Sequence, residues 1–332
     1  MLRLTHSSGD LIADRRFEFG RGLASRGDFS AAIDLFVQAI EAAPAFAPAW
    51  FALGEARRQL GDVAAAEAAF RKALKIDPLD RLGAALQLER LQPSSGARDA
   101  ATMPPGTAMS PDYLRALFDQ YAPGFDAALA RLNYRGPERL REAVRRARPA
   151  LPDHAFDDAL DLGCGTGLAG AVFRPLSRRL AGIDLSAAMI AQARSKKIYD
   201  WLETGDLIDR LLVAAARREA YDLIIAADVF VYISDLGPVA AAVAAVLRPG
   251  GLFAFTVETG GGEGVELGET LRYRHGAAHV HAALAAAGLQ ILELSAAVTR
   301  SEAGSDVAGL LALAARPSTQ DEPSPIKPIH MR

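Results

Sequence analysis

Ala159-Leu160-Asp161-Leu162-Gly163-Cys164-Gly165-Thr166-Gly167, continued by Leu168 to Phe173, is the stretch whose reading decides the fold. A short apolar run enters a glycine-rich turn and a helix can begin directly behind it, the pattern of strand, tight turn and helix N-terminus. Glycines there accept positive φ and let a ligand approach the backbone, while the helix N-terminus offers N–H groups and a positive dipole end. The turn therefore suits an anionic or zwitterionic ligand. Leu180-Ala181-Gly182-Ile183-Asp184 reads as a second strand with an acid at its tip, placed to accept hydrogen bonds from ribose hydroxyls. Gly165, Gly167 and Gly170 also satisfy G-x-G-x-x-G, with Asp184 about twenty residues on, so this stretch alone leaves a dinucleotide open.

Four features further along separate the alternatives. Asp161 stands just before the first glycine, where a carboxylate holds an ammonium group and repels a pyrophosphate. Gly205-Asp206-Leu207 follows a third strand and offers an acid to an adenine amino group. Tyr221 to Val229 reads as a fourth strand with Asp228 at its tip, and Leu247-Arg248-Pro249-Gly250-Gly251 introduces the apolar strand Leu252 to Val257. In this order the series resembles the class I methyltransferases.

The resemblance implies an α/β, Rossmann-like fold with a mostly parallel seven-stranded sheet, S-adenosyl-L-methionine as cofactor and S-adenosyl-L-homocysteine as product. Carried over by position, Asp161 and the turn Gly163, Cys164, Gly165 and Gly167 would hold the amino-acid end of the cofactor. Asp184, with Leu185 beside it, would hold the ribose, and Asp206 with Leu207 the adenine. Met189 would pack on the adenine face or serve as a helix core residue, and the strand-four tip, Asp228 and Val229 to Tyr232, would lie beside the transferring methyl. Leu117-Phe118-Asp119-Gln120-Tyr121-Ala122, Phe125-Asp126, Asp228 to Ile233 and Arg272-Tyr273-Arg274-His275 look like a narrower bacterial family of predicted methyltransferases with N-terminal tetratricopeptide repeats, the resemblance spanning Phe19 to Arg316.

The repeats are visible in the chain itself. An offset of 34 residues pairs Gly20 with Gly54, Gly27 with Gly61, Ala32 with Ala66, Phe36 with Phe70 and Pro44 with Pro78, a period and pattern that resemble the tetratricopeptide repeat. We expect an all-α module over 13–92, two repeats and a capping helix from Arg81 to Leu91. Two repeats are at the lower limit of a self-supporting array, so the module is expected to lean on another surface. It reads as a packing or dimerisation module or as a partner-binding groove, with Phe17, Phe51, Arg21 and Glu55 on its concave face. A linker is expected over 93–110, the catalytic domain over 111–316 and a disordered tail over 317–332.

Composition narrows the function. The 332 residues carry a formal charge of −3, half of them are apolar, and the pI is near 6.1, which gives no basic footprint for nucleic acid. Cys164 is the only cysteine, so no internal disulfide forms and a reducing cytosol is the natural compartment. Met1 to Phe17 lacks a secretion-signal core, and the apolar stretch Pro238 to Val257 is broken by Arg248, Pro249, Gly250 and Gly251; a cytoplasmic protein without membrane contact is expected. Methyl transfer is an in-line displacement that mainly asks for alignment and water exclusion, with a base only for some acceptors. His275 as general base, Arg272 as a carboxylate or phosphate fork, and Tyr273 and Tyr232 are the catalytic candidates. Tyr121 and Phe125 would cover the cofactor, and Arg300 with Glu302 would close the acceptor pocket or form a surface pair. No metal site is expected, since His275, His279 and His281 have no adjoining acid or cysteine. The acceptor is expected to be a small molecule methylated on oxygen or carboxylate; the alternatives are a protein substrate recruited by the repeats and a regulator that binds cofactor without catalysis.

Overall fold

The computed structural model describes residues 7–91, 109–260, 262–302 and 304–318. Helices α1 (Leu11–Ser25), α2 (Phe29–Ala42), α3 (Ala47–Gln59) and α4 (Val63–Ile76) form two antiparallel pairs, with α5 (Ala84–Leu91) behind them. Asp28 and Asp62, one period apart, cap α2 and α4 by accepting from Ala31 N and Ala65 N, which satisfies otherwise orphaned helix donors. The repeat is explained at the crossings: a Cβ on Gly20 would come within 2.7 Å of the Phe36 ring, and one on Gly54 within 2.6 Å of Phe70. α5 begins at Ala84 rather than Arg81, because the Asp80 carboxylate caps it through Ala84 N (2.5 Å) and Ala85 N (3.1 Å).

The second region is built on a sheet. Strands β1 (Phe156–Leu162), β2 (Ser177–Asp184), β3 (Trp201–Thr204), β4 (Tyr221–Ala226) and β5 (Leu247–Glu258) run parallel in the order β3-β2-β1-β4-β5. Beyond β5 lies β9 (Ser305–Ala315), antiparallel to it, and then β8 (Gln290–Glu302), antiparallel to β9. These are the seven strands expected. A short hairpin, β6 (Val265–Leu267) and β7 (Tyr273–His275), adds two more by pairing Arg274 with Glu258. The antiparallel β9 departs from the all-parallel dinucleotide-binding order.

Both faces of the sheet are covered. Leu160, Ile224 and Phe253 point to a core shared with α11 (Leu207–Ala216), α12 (Gly237–Val246) and α13 (Ala277–Ala286), while Ala159, Leu223 and Leu252 point to one shared with α8 (Gly136–Ala147) and α9 (Leu168–Phe173). Double burial is why the strands read as continuous apolar runs. Helices α6 (Pro111–Tyr121), α7 (Phe125–Arg131) and α10 (Ala187–Ser195) complete the domain.

The repeats lean on this domain. Leu86 of α5 shares a buried cluster with Met109, Tyr113, Val265 and Tyr273, and the Tyr273 hydroxyl donates to Glu89 at 3.0 Å. Of the segment expected as linker, Met109 and Ser110 are packed: Met109 is buried, and Ser110 caps α6 and donates to Asp80 O at 3.0 Å. The rest of it, 93–108, and the expected tail from 319 onward lie outside the described residues. Among the described residues no helix is long and apolar enough to cross a membrane.

Candidate functional site

One pocket opens beyond the carboxyl ends of β1, β2 and β4, the place where open α/β sheets receive ligands. Its floor is the turn after β1, with Gly163, Gly165 and Gly167 at φ of 63°, 53° and 93°. A Cβ on Gly163 would strike Val229 at 2.6 Å, whereas one on Gly165 would meet nothing nearer than Phe125 at 3.9 Å. Gly163 is thus held by packing, and Gly165 presents bare backbone to the pocket. Asp184 closes the turn: its carboxylate accepts from Gly165 N and Ser186 N, both at 2.8 Å, and burial pushes its pKa up to about 6.

Asp161 lies beneath, 1% exposed. The Tyr199 hydroxyl donates to its Oδ2 at 2.6 Å, and its Oδ1 is buried without a partner. Burial raises this carboxyl to about 7, against the Tyr199 hydrogen bond. A Cβ on Gly170 would overlap the Tyr199 ring, so the third glycine of the G-x-G-x-x-G spacing makes room for the tyrosine that holds Asp161.

The opposite wall is ionic. Asp228, at φ 57°, accepts from Thr256 Oγ1 at 2.9 Å and from Arg300 Nη1 at 2.7 Å. Arg300 also donates to Glu302 at 2.8 Å and to Glu258, and Arg272 donates to Glu302 at 2.7 Å. Two guanidiniums therefore serve three carboxylates. Burial opposes the charge on Arg300, but Asp228, Glu302 and Glu258 outweigh it and hold its pKa higher still.

Aromatic side chains roof the pocket. Phe118 of α6 packs edge-on against Tyr232 (5.2 Å) and Phe125 (6.3 Å). Two acids pin this roof to the floor: Asp119 accepts from Ser186 Oγ and Ala188 N, and Asp126 from Thr166 Oγ1 and from Lys196 Nζ at 2.7 Å. Tyr134 enters from the segment before α8, which docks on β8 through Arg135 N to Thr299 O (2.6 Å) and Ser301 N to Leu132 O (2.8 Å).

Residues 160–253 match a family model described as a methyltransferase domain, and residues 17–81 one described as a tetratricopeptide repeat. The chain carries a methyltransferase domain behind tetratricopeptide repeats. Methyltransferase-like protein 27 of Homo sapiens is 37% identical over 95 residues, 28% of this chain and 38% of that protein. A malonyl-[acyl-carrier protein] O-methyltransferase of Serratia marcescens is 29% identical over 167 residues, 50% of this chain and 60% of the relative. The chain therefore spans about two-fifths to three-fifths of the length of these relatives. The N-methyltransferase NodS from Bradyrhizobium japonicum WM9, solved with S-adenosyl-L-homocysteine, is 25% identical, with a TM-score of 0.42 over 55% of this chain and 87% of its own.

Within the methyltransferase domain, Gly163, Cys164, Gly165, Asp184 and Met189 line the pocket together with Asp228, Val229, Tyr232 and Arg272. Gly167 caps α9 instead, against Tyr199. Leu185 and Leu207 are half-buried outside the lining, and Asp206 is the N-cap of α11, accepting from Ile208 N at 2.9 Å and Asp209 N at 3.2 Å.

Three sequence expectations need correction. Tyr121 does not cover the pocket; it is 49% exposed and lines a neighbouring cavity, while Phe118, one turn earlier, takes that place. His275 is fully buried, with Nε2 3.1 Å from Phe230 O and its ring stacked on His279, and burial lowers its pKa to about 4, so it does not serve as base. Tyr273 is fully buried too and bonds to the repeats. Both sit on the inner side of β7, two residues apart, so strand alternation buries them together and leaves Arg272 to the pocket. Phe118, Leu129, Tyr134, Thr166 and Glu258 were missed. Phe118 and Phe125 lie on separate helices, α6 and α7, joined by the turn Ala122–Gly124, so no single helical spacing marked them as a pair.

Proposed function

We propose that this protein binds S-adenosyl-L-methionine on the turn after β1 and methylates an oxygen, in the first instance a carboxylate, of a small-molecule acceptor. The observation that carries this is the bare backbone at Gly165, bonded to the Asp184 carboxylate in the pocket lining, with the unpartnered oxygen of Asp161 buried near the end of β1, outside that lining. Those groups fit the cofactor: Asp161 Oδ1 asks for a buried donor, which its ammonium group provides, and Asp184 has lone pairs left for ribose hydroxyls. A dinucleotide's pyrophosphate would meet the Asp184 carboxylate at the turn, with Asp161 buried behind it.

When bound, the cofactor supplies a methyl carbon already activated by its sulfonium. The protein's part is alignment and exclusion of water, for which Phe118, Phe125 and Tyr134 form the roof. The acids that line the pocket are engaged, Asp228 by Arg300 and Thr256 and Asp184 by two backbone amides. An acceptor that arrives ionised and needs no proton removed suits such a site, and the Serratia relative's O-methyl transfer supports an oxygen.

Calorimetry with S-adenosyl-L-methionine tests the reading. Wild type is expected to bind at micromolar concentration and Asp184→Ala about tenfold more weakly, ~1.4 kcal/mol; absence of wild-type binding overturns it. Transfer of labelled methyl into the small-molecule rather than the protein fraction of a cell extract tests the acceptor class.

A further inference from the structure

A second cavity lies between the repeats and the methyltransferase domain. Phe17 of α1, Phe51 and Glu55 of α3, and Gln87 of α5 form one side; Tyr113 and Leu271 stand on the other. Tyr232 and Arg272 line this cavity and the cofactor pocket alike. The two cavities therefore adjoin at these two side chains.

Two buried polar atoms of this lining lack a partner. Gln87 is 5% exposed and its Oε1 has no partner; Glu55 Oε2 is likewise buried and unpartnered. Both are acceptors. Arg21, on the same wall, is already taken by Glu18 at 3.0 Å and lies over the Phe17 ring. Burial pushes the Glu55 carboxyl up, against the opposing pull of Arg58 and Arg90. Unpaired buried acceptors are costly until a donor arrives, and aromatic faces beside them favour a cation.

We propose that this cavity holds the acceptor, an aryl- or alkyl-amine whose ammonium group meets Glu55 and Gln87, whose apolar body lies along Phe17, Phe51 and Leu271, and whose reactive oxygen faces Tyr232 and Arg272. Its purpose rests on the methyl-transfer reading; its occupancy does not. The repeats then form half of the specificity pocket.

The test uses the full chain and two probes with similar bodies and opposite heads, phenethylamine and 3-phenylpropionate, titrated by ligand-observed NMR. The amine is expected to bind at least about tenfold more tightly than the acid, and Glu55→Gln to remove about tenfold of that affinity. Asp184→Ala is expected to leave amine binding within about twofold while weakening S-adenosyl-L-homocysteine. Equal binding of the two probes, no amine binding at millimolar concentration, or an amine affinity indifferent to Glu55→Gln overturns the proposal. Should Glu55→Gln fail to fold, Phe51→Trp, which fills the cavity, must exclude the amine. If S-adenosyl-L-homocysteine does not bind wild type, the methyl-transfer reading falls, while the amine titration still decides the cavity.

Discussion

The turn after β1 and the ion cluster at the tips of β4, β5 and β8 face one another across a single pocket, yet they are made in opposite ways. The turn comes from five consecutive residues, and its shape is set by backbone conformation: three glycines at positive φ, one of them open to the pocket. The cluster joins Asp228 to Arg300, 72 residues apart, and draws in Glu258, Arg272 and Glu302 from other elements. Its geometry depends on strand register. β9 separates β5 from β8, and Arg300, which reaches across to Glu258, falls in the register shift of β8 between Val298 and Ser301. A backbone site persists as a local motif, whereas a side-chain site exists only after the sheet has assembled.

Breaking the cluster should have the largest effect. Arg300→Ala leaves Asp228 without its buried counter-ion and Glu258 with only Arg272 at 3.5 Å, and should lower unfolding free energy by about 3–5 kcal/mol, read from the denaturant midpoint; a loss under about 1 kcal/mol would mean that the cluster does not anchor this end of the sheet. Asp161→Asn should act the other way. Its folded pKa near 7, above the ordinary 3.8, favours folding at low pH and is lost as pH rises through 7, so at pH 8 the variant should be roughly 2–4 kcal/mol more stable than wild type, with the gap closing toward pH 4. It should bind S-adenosyl-L-methionine more weakly, separating stability from binding in the turn.

His275 gives a smaller and opposite pH signature. Its folded pKa, lowered to about 4 from 6.5, makes the buried neutral ring stabilising above 6.5, and that contribution is lost as pH falls toward 4. By pH 5 wild type should have lost about 2 kcal/mol through this group, and the pH dependence of His275→Gln should lack that component while cofactor affinity stays unchanged; a large loss of affinity would return His275 to the site. Gly165→Ala should cost about 1–2 kcal/mol for its left-handed backbone, with a fall in cofactor affinity larger than the same change produces at Gly250, which shares the positive φ and where a Cβ would meet nothing within 4 Å.

Much of the fold was legible before any coordinates. The 34-residue period predicted the helix pairs, because each repeated glycine answers a repeated phenylalanine across a crossing. The apolar runs predicted the strands, because both sheet faces are buried. The roof was read one turn off, at Tyr121 instead of Phe118, because helical periodicity gives the face but not its rotation toward a neighbour. His275 and Tyr273 looked catalytic because residue type advertises chemistry, and the β6–β7 hairpin turned both inward.

By itself the sequence determined the repeat module, the succession of strands along the chain and the glycine turn, since each depends on short-range spacing and backbone freedom. Only the tertiary structure decided which acid stays unpaired beneath the turn, how Arg272 and Arg300 are shared among three carboxylates, and that the repeats close a cavity against Tyr232 and Arg272. Burial and counter-ion choice are properties of packed neighbours, and those neighbours come from distant parts of the chain.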